Sequence, residues 1–150
     1  MSNLMEIQEQ IRQVNAKIMQ LTKEKSRLER ERTEGENGHE EFQKLTRRLS
    51  DELEIFGGNL KNRSANLPGN FGQYYERKVN ETIKQGGILE LETEARDVLV
   101  GMRHKILELD DEIIQCGRKI TNNNSKLYNL KNLANVAAQE VENIVSGGEE

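Results

Sequence analysis

The chain has 150 residues, enough for one domain, and its 34% hydrophobic and 32% charged content suits long helices with a narrow buried seam better than a broad globular core. The absence of tryptophan, the single proline (Pro68) and the scarcity of β-branched or aromatic runs argue against a β-sandwich or an α/β sheet. The formal charge is −4 with acidic and basic residues interleaved, so there is no basic stripe for nucleic acid; Arg47-Arg48 is a single pair among acidic neighbours.

The lone cysteine, Cys116, excludes an internal disulfide framework. No apolar run approaches the roughly 20 residues that cross a bilayer, so no membrane span is expected. The start, Met-Ser-Asn-Leu-Met-Glu-Ile, lacks the basic and apolar segments of a cleavable signal. These features predict a cytoplasmic protein, with export by a route that cleaves no signal as the alternative.

In chain order, apolar residues recur at Leu4, Ile7, Ile11, Val14, Ile18, Leu21 and Leu28 with the alternating three–four spacing of a coiled coil. Lys25 interrupts that seam. Asn3 with Glu6 resembles a capping box and predicts the helix start. Arg32, Gly35 and His39 fall on the next seam positions, and Thr33–Gly38 is polar with two glycines, each costing about 1 kcal/mol in a helix relative to alanine. Phe42, Leu49, Leu53 and Phe56 return in phase, which predicts either a weakened helix or a local break over 33–41. Residues 57–69 read as a loop. Asn70 with Gln73 reads as a second capping box, opening a short helix that runs to a kink at Gln85-Gly86-Gly87.

The last stripe runs through Ile88, Leu91, Ala95, Val98, Met102, Ile106, Leu109, Ile113, Cys116, Ile120, Asn123, Leu127, Leu130, Ala134, Ala137, Val141 and Ile144, with a small phase adjustment near Met102. The two long stripes are nearly equal in length. The expected fold is therefore all-α, an elongated antiparallel helical hairpin or coiled coil with an irregular or short-helical tip. One domain over 1–150 is expected, with arms at 3–56 and 88–145 and the tip at 57–87. The seams must be buried against each other or against a partner, because burial is the main source of stability for such helices.

Asn123 on the seam either fixes register, with Lys25 near its level on the other arm, or loosens the helix locally. His104 and Glu108 share a helix face at metal-ligand spacing, but no third ligand lies nearby, and His39 has only glutamates around it. Cys116 is a core position with no activating partner. There is no phosphate loop, nucleophile elbow or paired-carboxylate motif, so no enzyme, cofactor or metal is expected. Five aromatics, Phe42, Phe56, Phe71, Tyr74 and Tyr75, lie between residues 42 and 75, and they are either interface anchors or a small core sealing the tip.

The segment Leu67-Pro68-Gly69-Asn70-Phe71-Gly72-Gln73-Tyr74-Tyr75 resembles the turn of the WXG superfamily, in which a Trp-x-Gly loop joins two antiparallel helices. It is most similar to the YwqH-like pattern W-x-G-x-x-A-x-x-F. Leu67 stands at the tryptophan, Gly69 at the glycine, Gly72 at the small residue and Tyr75 at the aromatic. Glycine permits the turn, and the small residue lets the helices approach. The tryptophan itself is replaced, and Tyr128 is followed four residues later by Asn132, so the Tyr-x-x-x-Asp/Glu export signal of some members is absent.

The resemblance implies an adaptor or chaperone in type VII secretion. Its partner would be the helical N-terminal domain of an LXG toxin or a second small helical accessory protein, packed along the hairpin's seam. The seam and tip residues expected at a partner are Leu4, Ile7, Ile11, Val14, Ile18, Leu21, Phe56, Phe71, Tyr74, Met102, Ile106, Leu109, Ile113, Ile120, Leu127 and Leu130. The alternative is a self-assembling structural coiled coil, such as a tether or phage component, with a homo-oligomer in place of the partner. A prefoldin-like chaperone ranks third, because 57–69 lacks the alternation of its β-hairpins.

Overall fold

The computed structural model describes residues 2–148, with Ser2 through its backbone alone. Three helices, α1 (Ser2–Ala65), α2 (Phe71–Gln85) and α3 (Ile88–Gly147), make up the fold, and no strand occurs among the described residues. The protein is an all-α helical hairpin in which α1 and α3 pack against each other. Helix already runs at Ser2, so Asn3 lies inside α1 and is not its cap. The chain divides into two compact units: residues up to Arg32 with those from Glu108, and Thr33–Leu107.

In the first unit the helices run antiparallel. The Arg32 guanidinium pairs with Asp110, and seven residues back the Lys25 ammonium lies 4.0 Å from where a Cβ on Gly117 would stand. Leu28, Leu109 and Cys116 form the buried core, with Leu21 and Ile113 packed against it. Val14 and Leu130 are also buried, while Leu4, Ile7, Ile11, Ile18, Ile120 and Leu127 are half-buried. This gradation is what two helices alone achieve, since each seam residue has a partner on one side only.

Lys25 is tolerated in this seam because Gly117 leaves room beside it and its ammonium reaches Glu29 at 3.9 Å. It does not reach the level of Asn123, which lies six residues, about 9 Å, beyond Gly117. The Asn123 amide donates instead to the Lys119 carbonyl of its own helix at 2.7 Å. On the exposed face, Arg27 bridges Glu24 and Glu31, and its hydrogen bonds hold the Glu24 carboxyl below the usual carboxylate range. A carboxylate depressed in the folded state stabilises at neutral pH, and that contribution is lost as the pH falls through its lowered pKa.

The second unit is also antiparallel. Gly35 lies beside Ile106, Gly38 beside Met102, and the Ser50 hydroxyl donates to Glu92 at 2.7 Å. α1 runs without a break through 33–41, resolving the open expectation of a weakened helix or a break. Gly35 and Gly38 face two of the larger side chains of α3, Ile106 coming within 3.4 Å and Met102 within 3.5 Å of a notional Cβ. The seam persists there with small residues on one helix and large ones on the other. Thr46 continues it, buried, with its hydroxyl donating to the Phe42 carbonyl at 2.9 Å.

On α3 this unit turns Ile88, Glu92, Ala95, Leu99, Met102 and Ile106 inward, whereas Leu91 and Val98 of the expected stripe are exposed. The three–four repeat is kept strictly, so no phase adjustment occurs near Met102. The period, not local apolarity, decides which residues turn inward here. The inward Glu92 is accommodated because Ser50 and Arg96 satisfy its carboxylate.

The expected loop over 57–69 is helical up to Ala65, and only Asn66–Asn70 form the turn. Leu60 is buried, and the continued packing of this stretch outweighs the propensity cost of Gly57 and Gly58, although the Ser64 hydroxyl is buried without a partner. The inward positions step from Leu53 to Gly57 to Leu60, one residue out of the earlier phase, which leaves Phe56 exposed. A Cβ on Gly58 would meet nothing within 4 Å, so Gly58→Ala should raise stability by about 1 kcal/mol in a thermal melt. An unchanged or lower midpoint would show that 57–65 is not helical.

Pro68 disfavours helix at Leu67 and cannot donate a backbone hydrogen bond, and Gly69 adopts the left-handed region at φ 60°. Asn70 caps α2 by position only, because its side chain makes no capping hydrogen bond and the expected capping box is absent. Between Gly72 and Glu92 the returning chain moves from the level of Ser64 to that of Ser50. α2 and the start of α3 therefore both run back along α1. The break between them falls at Gly86 and Gly87, the latter at φ 73°.

Candidate docking surfaces

The seam residues expected to meet a partner are turned largely toward the chain's own second helix. In the first unit Leu4, Ile7, Ile11, Val14, Ile18 and Leu21 on α1 face inward, as do Leu109, Ile113, Ile120, Asn123, Leu127 and Leu130 on α3. In the second unit Met102 is half-buried and Ile106 buried. A partner helix that displaced either arm would forfeit these contacts, whereas one laid on another face would not.

Such a face exists in the first unit. Met5 and Met19 each follow a seam residue by one, and Ile114 and Tyr128 do the same on α3. One residue turns about 100° around a helix. Because the helices are antiparallel, that turn carries both rows to the same side. Met19 is 62% and Ile114 52% exposed. Between them stand Gln8, Asn15, Thr22, Ser26, Gly117, Thr121 and Asn124, and the charged members of this side are Arg12 and Glu29 on α1 and Asp110 and Lys131 on α3. The opposite side over the same stretch carries Glu6, Lys17, Glu24, Arg27, Glu112, Lys119 and Lys126. Depletion of charge around a few large apolar groups is the compositional mark of an interface core.

The chain matches no known family model, and no curated protein or solved structure matches it.

In the second unit the tip gathers the motif residues. Leu67 and Gly69 lie in the turn, and Gly72 is buried against Ser64 of α1: a Cβ there would stand 2.1 Å from the Ser64 carbonyl oxygen. Tyr75 lies at the exposed edge. Phe71 and Tyr74 are 69% and 57% exposed, and with Asn70 they line an open groove. They do not form a core sealing the tip. The remaining chemistry is sparse. His39 shares a shallow, mixed-charge groove with Glu36, Glu40 and Arg103. Among the described residues no group of three or more His, Cys, Asp or Glu is placed to hold a metal, and no helix is long and apolar enough to cross a membrane.

The charge-poor side was legible in the sequence only after the seam was fixed. Its apolar residues are spaced fourteen apart on each helix, too sparse to form a stripe of their own.

Proposed function

We propose that this protein is a non-enzymatic interaction protein, an adaptor or chaperone that seats a helix of its partner along Met5, Met19, Ile114 and Tyr128. The partner class is the helical N-terminal domain of an LXG-type toxin, carried through type VII secretion, and the protein resides in the cytoplasm before any export. The reading is supported by a helical hairpin whose turn falls on Leu67–Asn70, with the small residue of the WXG-like motif at the close approach of α1 and α2. The observation that carries it is the charge-poor side, left uncovered although the seam beside it is filled.

The test is titration of the full chain with the N-terminal helical domain of a toxin encoded beside it. The Met19→Lys/Ile114→Lys variant should keep its helical circular dichroism, because both side chains are exposed. It should lose at least about tenfold in affinity, as expected when central interface anchors are replaced by charges. Undiminished binding by the variant would remove this face from the interface, and no binding by the wild-type chain would remove the toxin reading. A self-assembling coiled coil is the second reading, because the same side is open to another copy of the chain. Concentration-dependent melting of the wild type that the variant abolishes would favour it.

A further inference from the structure

We propose that the tip of the hairpin docks on an anionic lipid bilayer, with Phe71 and Tyr74 entering the interface and the surrounding cations facing the headgroups. Residues 57–87 carry five Lys or Arg against two acidic residues, whereas the rest of the chain carries seventeen against twenty-four. Residues 113–139, with four Lys or Arg and no acidic residue, are net positive as well, but only in 57–87 does the excess of cations coincide with the exposed Phe71 and Tyr74. Lys61 and Arg63 end α1, and Arg77, Lys78 and Lys84 follow on α2, all exposed.

Phe71, Tyr74 and Lys78 lie on one ridge of α2, at spacings of three and four. Along it the side chains pass from apolar, to an amphipathic ring, to a cation whose ammonium sits 6.0 Å from the centre of the Tyr74 ring. From Phe71 to Lys78 the rise is about 10 Å. That is comparable with the depth to which the apolar face of an interfacial helix enters a membrane surface. Tyrosine favours the interface itself, and Lys stems reach back to the headgroups. The helix is attached by its other face, where Gly72 is buried and Val79 and Ile83 half-buried, so the ridge is free without any rearrangement. An acidic protein surface would meet the same charges but gives no reason for the apolar end of the ridge to be the most exposed.

This inference does not rest on the toxin reading. It is tested by sedimenting the full chain with vesicles of phosphatidylcholine alone or mixed with phosphatidylglycerol, at low and high salt. Binding is expected only to the anionic vesicles, and it should weaken steeply with salt. Lys61→Gln/Arg63→Gln/Lys78→Gln should lower the partition coefficient on the order of 100-fold, from about fivefold per cation near the surface. Phe71→Ser/Tyr74→Ser should abolish binding with unchanged helicity. No binding of the wild type to anionic vesicles overturns the proposal, as does binding that survives both variants. Loss of a protein partner by the tip variants without any vesicle binding would assign the surface to protein instead.

Discussion

Replacing Gly72 with alanine should destabilise the chain by about 2–3 kcal/mol, although alanine is the better helix former by about 1 kcal/mol. The added Cβ would stand 2.1 Å from the Ser64 carbonyl oxygen and 3.1 Å from its carbon. Both are backbone atoms of a neighbouring helix, so no side-chain rotation relieves the overlap and α1 and α2 must separate. The loss should be local to the tip. Hydrogen exchange should accelerate in the last turns of α1 and the first turns of α2 before it changes around Leu28 and Leu109. A Gly72→Ala chain that melts at or above the wild-type midpoint would show that the two helices do not approach at this residue. The contrast with Gly58→Ala makes the test specific, since the same substitution in the same unit is expected to stabilise where nothing lies within 4 Å.

Leu109→Asp should abolish folding of the first unit. Leu109 is 4% exposed, in a core with Leu28 and Cys116. Burying an uncompensated carboxylate there costs several kcal/mol, a large part of the 5–15 kcal/mol that holds an ordinary domain. Leu109→Ala, which removes only packing, should cost about 2–4 kcal/mol. Leu107→Asp, two residues earlier and 52% exposed, should change stability by no more than about 0.5 kcal/mol. Denaturant titrations followed by circular dichroism separate the three. Equal midpoints for Leu107→Asp and Leu109→Asp would mean that α3 turns a different face to α1.

The cysteine in this core illustrates how far the seam governs chemistry. Cys116 is buried beside leucines, without an activating neighbour among the core residues, and it behaves as a small apolar group. Three seam polar groups are satisfied individually: Glu92 by Ser50 and Arg96, Thr46 by a backbone carbonyl, Arg32 by Asp110, whereas the buried Ser64 hydroxyl has no hydrogen-bond partner.

Heptad spacing by itself determined that the chain is helical and which residues from Leu4 to Leu28 and from Met102 to Val141 face inward, and the near-equal lengths of the two stripes pointed to an antiparallel hairpin. Those positions repeat often enough for the period to be counted, and burial of the stripe is the dominant favourable term. Four matters were decided only by tertiary packing. Gly35 and Gly38 remain helical because Ile106 and Met102 fill the space opposite, which no local propensity records. Helix persists through Gly57 and Gly58 because Leu60 is buried beyond them. Glu92 and Leu99 replace Leu91 and Val98 in the seam because geometry fixes the period and a paired carboxylate can occupy it. The charge-poor side holding Met19 and Ile114 becomes visible only when the antiparallel pairing brings rows from two distant segments together. Local propensity acts over a few residues, whereas each of these outcomes depends on a side chain dozens of positions away or on the continuation of a buried stripe.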